Sequence, residues 1–110
     1  MNKKNYCSPE PFPTEVYILH FDKPYWGNCR HYVGYSKLGA EERLRRHMSG
    51  RGSMLVAYAV RHGNIPKLAY VERCESPYHA RYRELQLKAG KNLSRLCLIC
   101  QRNKVRKGNK

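Results

Sequence analysis

From Val16 to Phe21 the chain is an unbroken run of β-branched, aromatic and aliphatic residues closed by His20 and Phe21, and it predicts a strand. A period of two puts Tyr17, Leu19 and Phe21 on one face and Val16, Ile18 and His20 on the other. Asp22 to Asn28, with Pro24 and Gly27, breaks the run, and His31-Tyr32-Val33-Gly34-Tyr35 predicts a second strand. So short a connection makes the pair an antiparallel hairpin, with Tyr32 and Gly34 on a common face. The period then changes. Between Gly39 and Ser49, Leu44 and Met48 share one helical stripe while Ala40, Arg43 and His47 follow the same spacing beside it. Ser49-Gly50-Arg51-Gly52-Ser53 is turn chemistry, and Ser53 is a natural N-cap for a second helix through Met54, Leu55, Tyr58 and Ala59, ended by His62-Gly63-Asn64. Alternation from Lys67 to Glu72 predicts a third strand, and Ser76-Pro77 starts a third helix that runs to about Lys88 and stops at Gly90.

The predicted order is β-β-α-α-β-α, a small α+β domain around a three-stranded, mostly antiparallel sheet flanked by helices. It is expected to occupy residues 15–100. Residues 1–14 hold Pro9, Pro11 and Pro13 in a polar setting, which predicts an extended N-terminal arm. Leu93, Leu96, Leu98 and Ile99 form an apolar patch expected to pack, whereas residues 101–110 are expected to be a basic, mobile tail. At 110 residues the chain is one domain with one modest core.

Composition narrows the partner. The 22 Lys and Arg residues outnumber eight acids, for a formal charge of +14, which points to a polyanion, by default nucleic acid. No apolar run approaches the roughly 20 residues of a spanning helix, and the opening residues lack a secretory pattern. The expectation is a soluble cytoplasmic or intracellular protein without membrane association, close to the nucleoid in a bacterial cell. Five cysteines, Cys7, Cys29, Cys74, Cys97 and Cys100, are an odd set, so reduced thiols are expected rather than a disulfide framework. Cys97-Leu-Ile-Cys100 has the spacing of half a zinc knuckle, but no second CxxC or HxxxH pair completes it. Buried or idle thiols are therefore expected at Cys97 and Cys100, with zinc as the alternative.

The acids limit the chemistry. Asp22 is the one aspartate, which argues against two-metal schemes built on clustered carboxylates. Glu84 stands out in the third helix among Arg81, Arg83 and Lys88. It can ligate one hard cation, or it can be a surface residue paired with Arg81 and Lys88. Tyr17 alone reads as a core residue. With Tyr32 on the neighbouring strand it can share a sheet face, and a phenol beside cations can have its ionisation favoured, making a base or proton relay. Arg43 and His47, one helical turn apart, can fork onto phosphate oxygens and move protons, although a solvated basic helix face explains Arg45 and Arg46 equally well.

In order and approximate spacing, Val16-Tyr17-Ile18, Tyr32-Val33-Gly34, Arg43-x-x-x-His47 and Glu84-x-x-x-Lys88 resemble the GIY-YIG nuclease family. The resemblance spans Glu15 to Lys88, and residues 92–100 look like the close of small stand-alone members. Val16 stands where the family name has its glycine. The resemblance implies a metal-dependent endonuclease cutting DNA, branched or flapped substrates included, with one ion, Mg²⁺ or Mn²⁺, held by Glu84. It implies that Tyr17 activates or positions the attacking water, Tyr32 supports that network, Arg43 stabilises charge on the phosphate and His47 relays protons. Gly34 would allow close backbone approach, and Arg45, Arg46, Arg51 and Lys88 would contact the nucleic-acid backbone. Such contacts carry no base code, so selectivity would come from nucleic-acid structure, a homodimer or a protein partner. Two other functions fit the sequence: a binding module that does not cut, and a zinc-stabilised interaction domain using Cys97 and Cys100 with Cys74 and His79.

Overall fold

The computed structural model describes residues 14–90 and 93–108, with side chains described through residue 103. Its elements are strands β1 (Thr14–His20) and β2 (His31–Ser36), helices α1 (Ala40–Met48) and α2 (Met54–Arg61), strand β3 (Lys67–Cys74), and helices α3 (Pro77–Gly90), α4 (Leu93–Leu96) and α5 (Leu98–Gly108). The order from β1 to α3 follows the predicted one. The arm expected over residues 1–14 lies outside the described residues except for Thr14, which opens β1.

The sheet is fully antiparallel, in the order β2-β1-β3. β1 is central, and it is the strand buried most completely on both faces. Val16 and Ile18 pack with Val33, Cys74, Ala80 and Leu87 on one side. Tyr17, Leu19 and Phe21 pack with Ala40, Val56 and Ala59 on the other. Helices α1 and α2 thus cover the Tyr17 face, and α3 covers the Val16 face. In the hairpin register, Tyr17 faces Gly34, Leu19 faces Tyr32 and His20 faces His31. Between β1 and β3 the register shifts at Ile18 and Leu19, leaving Ala69 as the extra residue of a bulge.

Local chemistry explains the helix starts. Gly39, at φ 90, precedes α1 with no side-chain cap of its own. The cap comes from β1 instead: Ala40 N–H donates to Glu15 Oε1 at 2.8 Å, tying α1 to the sheet. Ser53 caps α2 as predicted, its hydroxyl accepting from Leu55 N–H. Ser76 Oγ accepts from His79 N–H at the start of α3.

The C-terminal segment departs from expectation. Leu93 and Leu96 do pack against the Val16 cluster, but Leu98 is exposed. The stretch from Gln101, expected to be mobile, continues α5 to Gly108. Once Gln101 N–H bonds Cys97 O, the turn is nucleated and the Arg and Lys that follow are good helix formers. No helix among the described residues is long and apolar enough to cross a membrane.

Candidate functional site

The Tyr17 face brings together most of the residues singled out from sequence. Tyr17 and Tyr32 do share it, both packed in the same apolar cluster. His47 is fully buried, at 0% exposure, and its Nε2 lies 2.9 Å from the Tyr17 hydroxyl. Tyr32 meets the His47 ring edge-on, with centroids 5.4 Å apart. The solvated-helix reading of α1 therefore divides by residue. Arg45 and Arg46 point to solvent and pair with Glu42, whereas His47 turns inward and Arg43 is half-buried.

Two glycines make room for this pair. A Cβ on Gly34 would stand 2.5 Å from the Tyr17 hydroxyl oxygen, so the glycine lets the Tyr17 ring lie across β2. The close approach at Gly34 is thus by Tyr17 itself. A Cβ on Gly52 would collide with the His47 ring at Nδ1. Gly52 reads in the sequence as ordinary turn chemistry, and nothing in the turn's composition signals its contact with His47. The turn after α1 folds back through Arg51 N–H to Arg46 O and sets Gly52 and Ser53 over the imidazole.

The hydrogen bonds assign the imidazole protons. Ser53 N–H donates to His47 Nδ1 at 3.3 Å, so Nδ1 is the acceptor. Burial, with the Arg43 charge adding to it, lowers the His47 pKa to about 4, so the ring is neutral at physiological pH. Its one proton is on Nε2, which donates to the Tyr17 oxygen. Tyr17's own O–H is left free for another acceptor.

Tyr17 does not titrate as its setting among cations suggested. Burial pushes its pKa well above the ordinary phenol value, the nearby Tyr32 adds to the rise, and the Arg43 guanidinium offsets only part of it. The Glu84 charge also opposes ionisation. Desolvation outweighs one neighbouring cation here, so Tyr17 is a neutral phenol at rest.

Arg43 supplies a further observation. Its Nε is buried and finds no hydrogen-bond partner among the described residues. Arg43 also lines an open groove of about 420 Å³ with Tyr35, Ser36, Lys37 and Leu38. A larger groove of about 530 Å³ is lined by Glu15, Glu41 and Glu42 with Arg45, an acidic wall unsuited to a polyanion.

Glu84 makes both ion pairs that its helix spacing offered, 3.8 Å to Arg81 Nε and 3.1 Å to Lys88 Nζ. Its side chain is nevertheless only 12% exposed, which sets it apart from an ordinary surface glutamate. As a site for Mg²⁺ it offers one carboxylate, and among the described residues it belongs to no cluster of three or more ligands. One carboxylate is compatible with Mg²⁺, which usually keeps several waters and takes phosphate oxygens. Arg51 is exposed in the turn after α1, and Lys88 is engaged by Glu84.

The opposite face holds a second cluster. His20, His31, Cys97 and Cys100 each present a ligand atom, all within 4.8 Å of one another. Cys97 and Cys100 thus have two further donors, neither of which is Cys74 or His79. Cys74 packs with Val16 and Ile18 in the core, and His79 is exposed on α3. The missing pair lies across the hairpin, not along the chain. The observed hairpin register sets His20 opposite His31, a pairing that the predicted loop bounds did not give. Burial pushes the Cys100 thiol up to about 11, and burial with the His20 charge lowers His31. Lys67 and, more weakly, His20 hold the Asp22 carboxyl below the usual carboxylate range.

No protein-family model, no curated protein and no solved structure matches this chain.

Proposed function

We propose that this domain is a divalent-metal-dependent endonuclease, similar to the GIY-YIG nucleases, that hydrolyses DNA phosphodiester bonds with Tyr17, Tyr32, Arg43 and His47 from the Tyr17 side of its sheet and Glu84 from α3. One observation carries the reading: a buried tyrosine–histidine hydrogen bond next to an arginine whose buried Nε has no partner among the described residues. An unpaired buried donor costs about 1–3 kcal/mol, and the same side chain lines an open groove wide enough for a phosphate. Arg is also the side chain best shaped to fork onto phosphate. The net charge of +14 supports a polyanionic substrate, with affinity that falls steeply as salt rises.

The geometry fits a proton relay better than a free phenolate base. His47 Nε2–H holds the Tyr17 oxygen from one side and fixes its orientation. The free Tyr17 O–H donates to a phosphate oxygen while the Tyr17 oxygen takes a proton from the attacking water. Tyr17 begins and ends neutral, as its raised pKa requires. Arg43 stabilises the charge that gathers on the phosphate oxygens. Tyr32, edge-on to His47, keeps water from the imidazole and holds it neutral. A bound Mg²⁺ or Mn²⁺ would polarise the phosphate, and Glu84 is the residue that would hold it.

The test is incubation of supercoiled plasmid and of branched or flapped DNA with Mg²⁺, comparing wild type with Glu84→Ala and Tyr17→Phe. Wild type is expected to cut, and each variant to lose most of that activity. Intact substrates that are nonetheless bound by wild type would mean a binding module, and undiminished cutting by Glu84→Ala would remove the ligand role.

A further inference from the structure

We propose that His20, His31, Cys97 and Cys100 bind one Zn²⁺ ion in a closed, structural site that clips the start of α5 to the loop end of the β1–β2 hairpin. The inference is independent of the nuclease reading, because the four residues lie on the other face of the sheet from Tyr17.

The distances fit one tetrahedral ion. Cys97 Sγ is 3.4 Å and Cys100 Sγ 3.6 Å from His20 Nδ1, and Cys100 Sγ is 3.3 Å from His31 Nε2. With Zn–S near 2.3 Å and Zn–N near 2.0–2.1 Å, the sulfur-to-nitrogen edges of a tetrahedron are about 3.5–3.6 Å. Two thiolates and two imidazoles in that geometry select zinc among the common divalent ions. All four positions are filled by the chain, which is the mark of a structural rather than a catalytic centre.

Three features around the ligands support the assignment. His20 Nε2 lies 3.3 Å from Asp22 Oδ1, so its proton is held on that side and Nδ1 turns its lone pair to the sulfurs. Cys100 N–H donates to Cys97 Sγ at 3.3 Å, which suits a charged thiolate at Cys97. Cys97 is fully buried and His20 nearly so, which shields the cluster from solvent. Binding converts each thiol to thiolate and releases its proton to solvent.

The site also has a structural task. Leu98, the first residue of α5, is exposed, so its side chain does not anchor the helix to the core. A metal bond from Cys97 and Cys100 to the hairpin fixes the start of α5 across a long loop of chain, where a crosslink acts most strongly.

The experiment uses the full chain, purified under reducing conditions without chelator, with metal content measured on wild type and variants. About one zinc per chain is expected in wild type and in Cys29→Ser, whose thiol is exposed and not among the four clustered ligands. Cys100→Ser and His31→Ala are expected to lose most of that zinc. Cobalt exchanged into wild type gives a reading that no variant's folding can confound: intense visible bands of a tetrahedral site together with thiolate-to-cobalt charge transfer. Failure of reduced wild type to take up zinc or cobalt would overturn the proposal. So would zinc content unchanged in both ligand variants, a weak octahedral cobalt spectrum, or an iron–sulfur chromophore in its place.

Discussion

The two faces of this sheet each bury a histidine, and the partner of the second ring nitrogen gives the two opposite chemistry. His47 accepts a backbone N–H at Nδ1 and so donates from Nε2 to a phenol oxygen. His20 has a carboxylate beside Nε2 and so offers Nδ1 as a lone pair to two sulfurs. In the proposed reading one imidazole orients an oxygen that handles protons and the other binds a soft or borderline metal. The contrast teaches that burial of a histidine alone says little. What matters is which nitrogen is occupied, and by what.

The most severe break in the comparison comes from the Tyr17 face. Tyr17→Phe keeps the ring and its packing but removes the relay oxygen, and is expected to lower the cleavage rate about 10²–10⁴-fold in single-turnover assays. Arg43→Ala should cost about 10²–10³-fold through lost charge stabilisation. Neither change should alter zinc content.

Removing zinc should do the reverse, acting first on stability. At a zinc concentration 100 to 1,000 times its Kd, binding stabilises the folded chain by about 3–4 kcal/mol. Chelation should therefore lower Tm by more than about 10 °C, read by thermal melts with and without added zinc. Cys100→Ser should melt at the same temperature with or without chelator.

Smaller effects separate the glycines. Gly52→Ala puts a Cβ into the His47 ring, and Gly34→Ala puts one against the Tyr17 hydroxyl. Each should destabilise by about 1–3 kcal/mol as an overpacked core does, measured by denaturant unfolding. Both should impair cleavage beyond their loss of stability, since each displaces a member of the hydrogen-bonded pair.

Acid should expose His47. Its folded pKa, about 4, lies below the unfolded value near 6.5, so the unfolded chain takes up the proton first. The stabilisation is complete above pH 6.5 and is lost as pH falls towards 4, by up to about 1.4 kcal/mol per pH unit. His47→Gln should flatten that part of the stability profile. On the other face, Asp22→Ala should weaken zinc binding about 10–100-fold while leaving the stoichiometry at saturation intact.

Much of the fold was legible in the chain because the local signals agreed. The alternation in β1, the Ser53 and Ser76-Pro77 helix starts and the Gly27 and Gly63 turns all point to the elements observed. The Tyr17, Tyr32, Arg43 and His47 grouping was legible because two strand faces and one helical stripe converge. Three things were not. The charge state of Tyr17 depends on desolvation, which sequence neighbours do not reveal. Gly52 matters only because the turn after α1 folds back onto His47. The zinc ligands pair a C-terminal CxxC with residues on two strands, and a search along the chain for a second metal-binding motif passes over them.

The most direct test measures cleavage of branched DNA and zinc content in the same preparations of wild type and Tyr17→Phe. If the two faces carry separate chemistry, Tyr17→Phe retains about one zinc per chain and cuts at least 10²-fold more slowly. A Tyr17→Phe protein that cuts as fast as wild type, or one that loses its zinc along with its activity, would contradict the account.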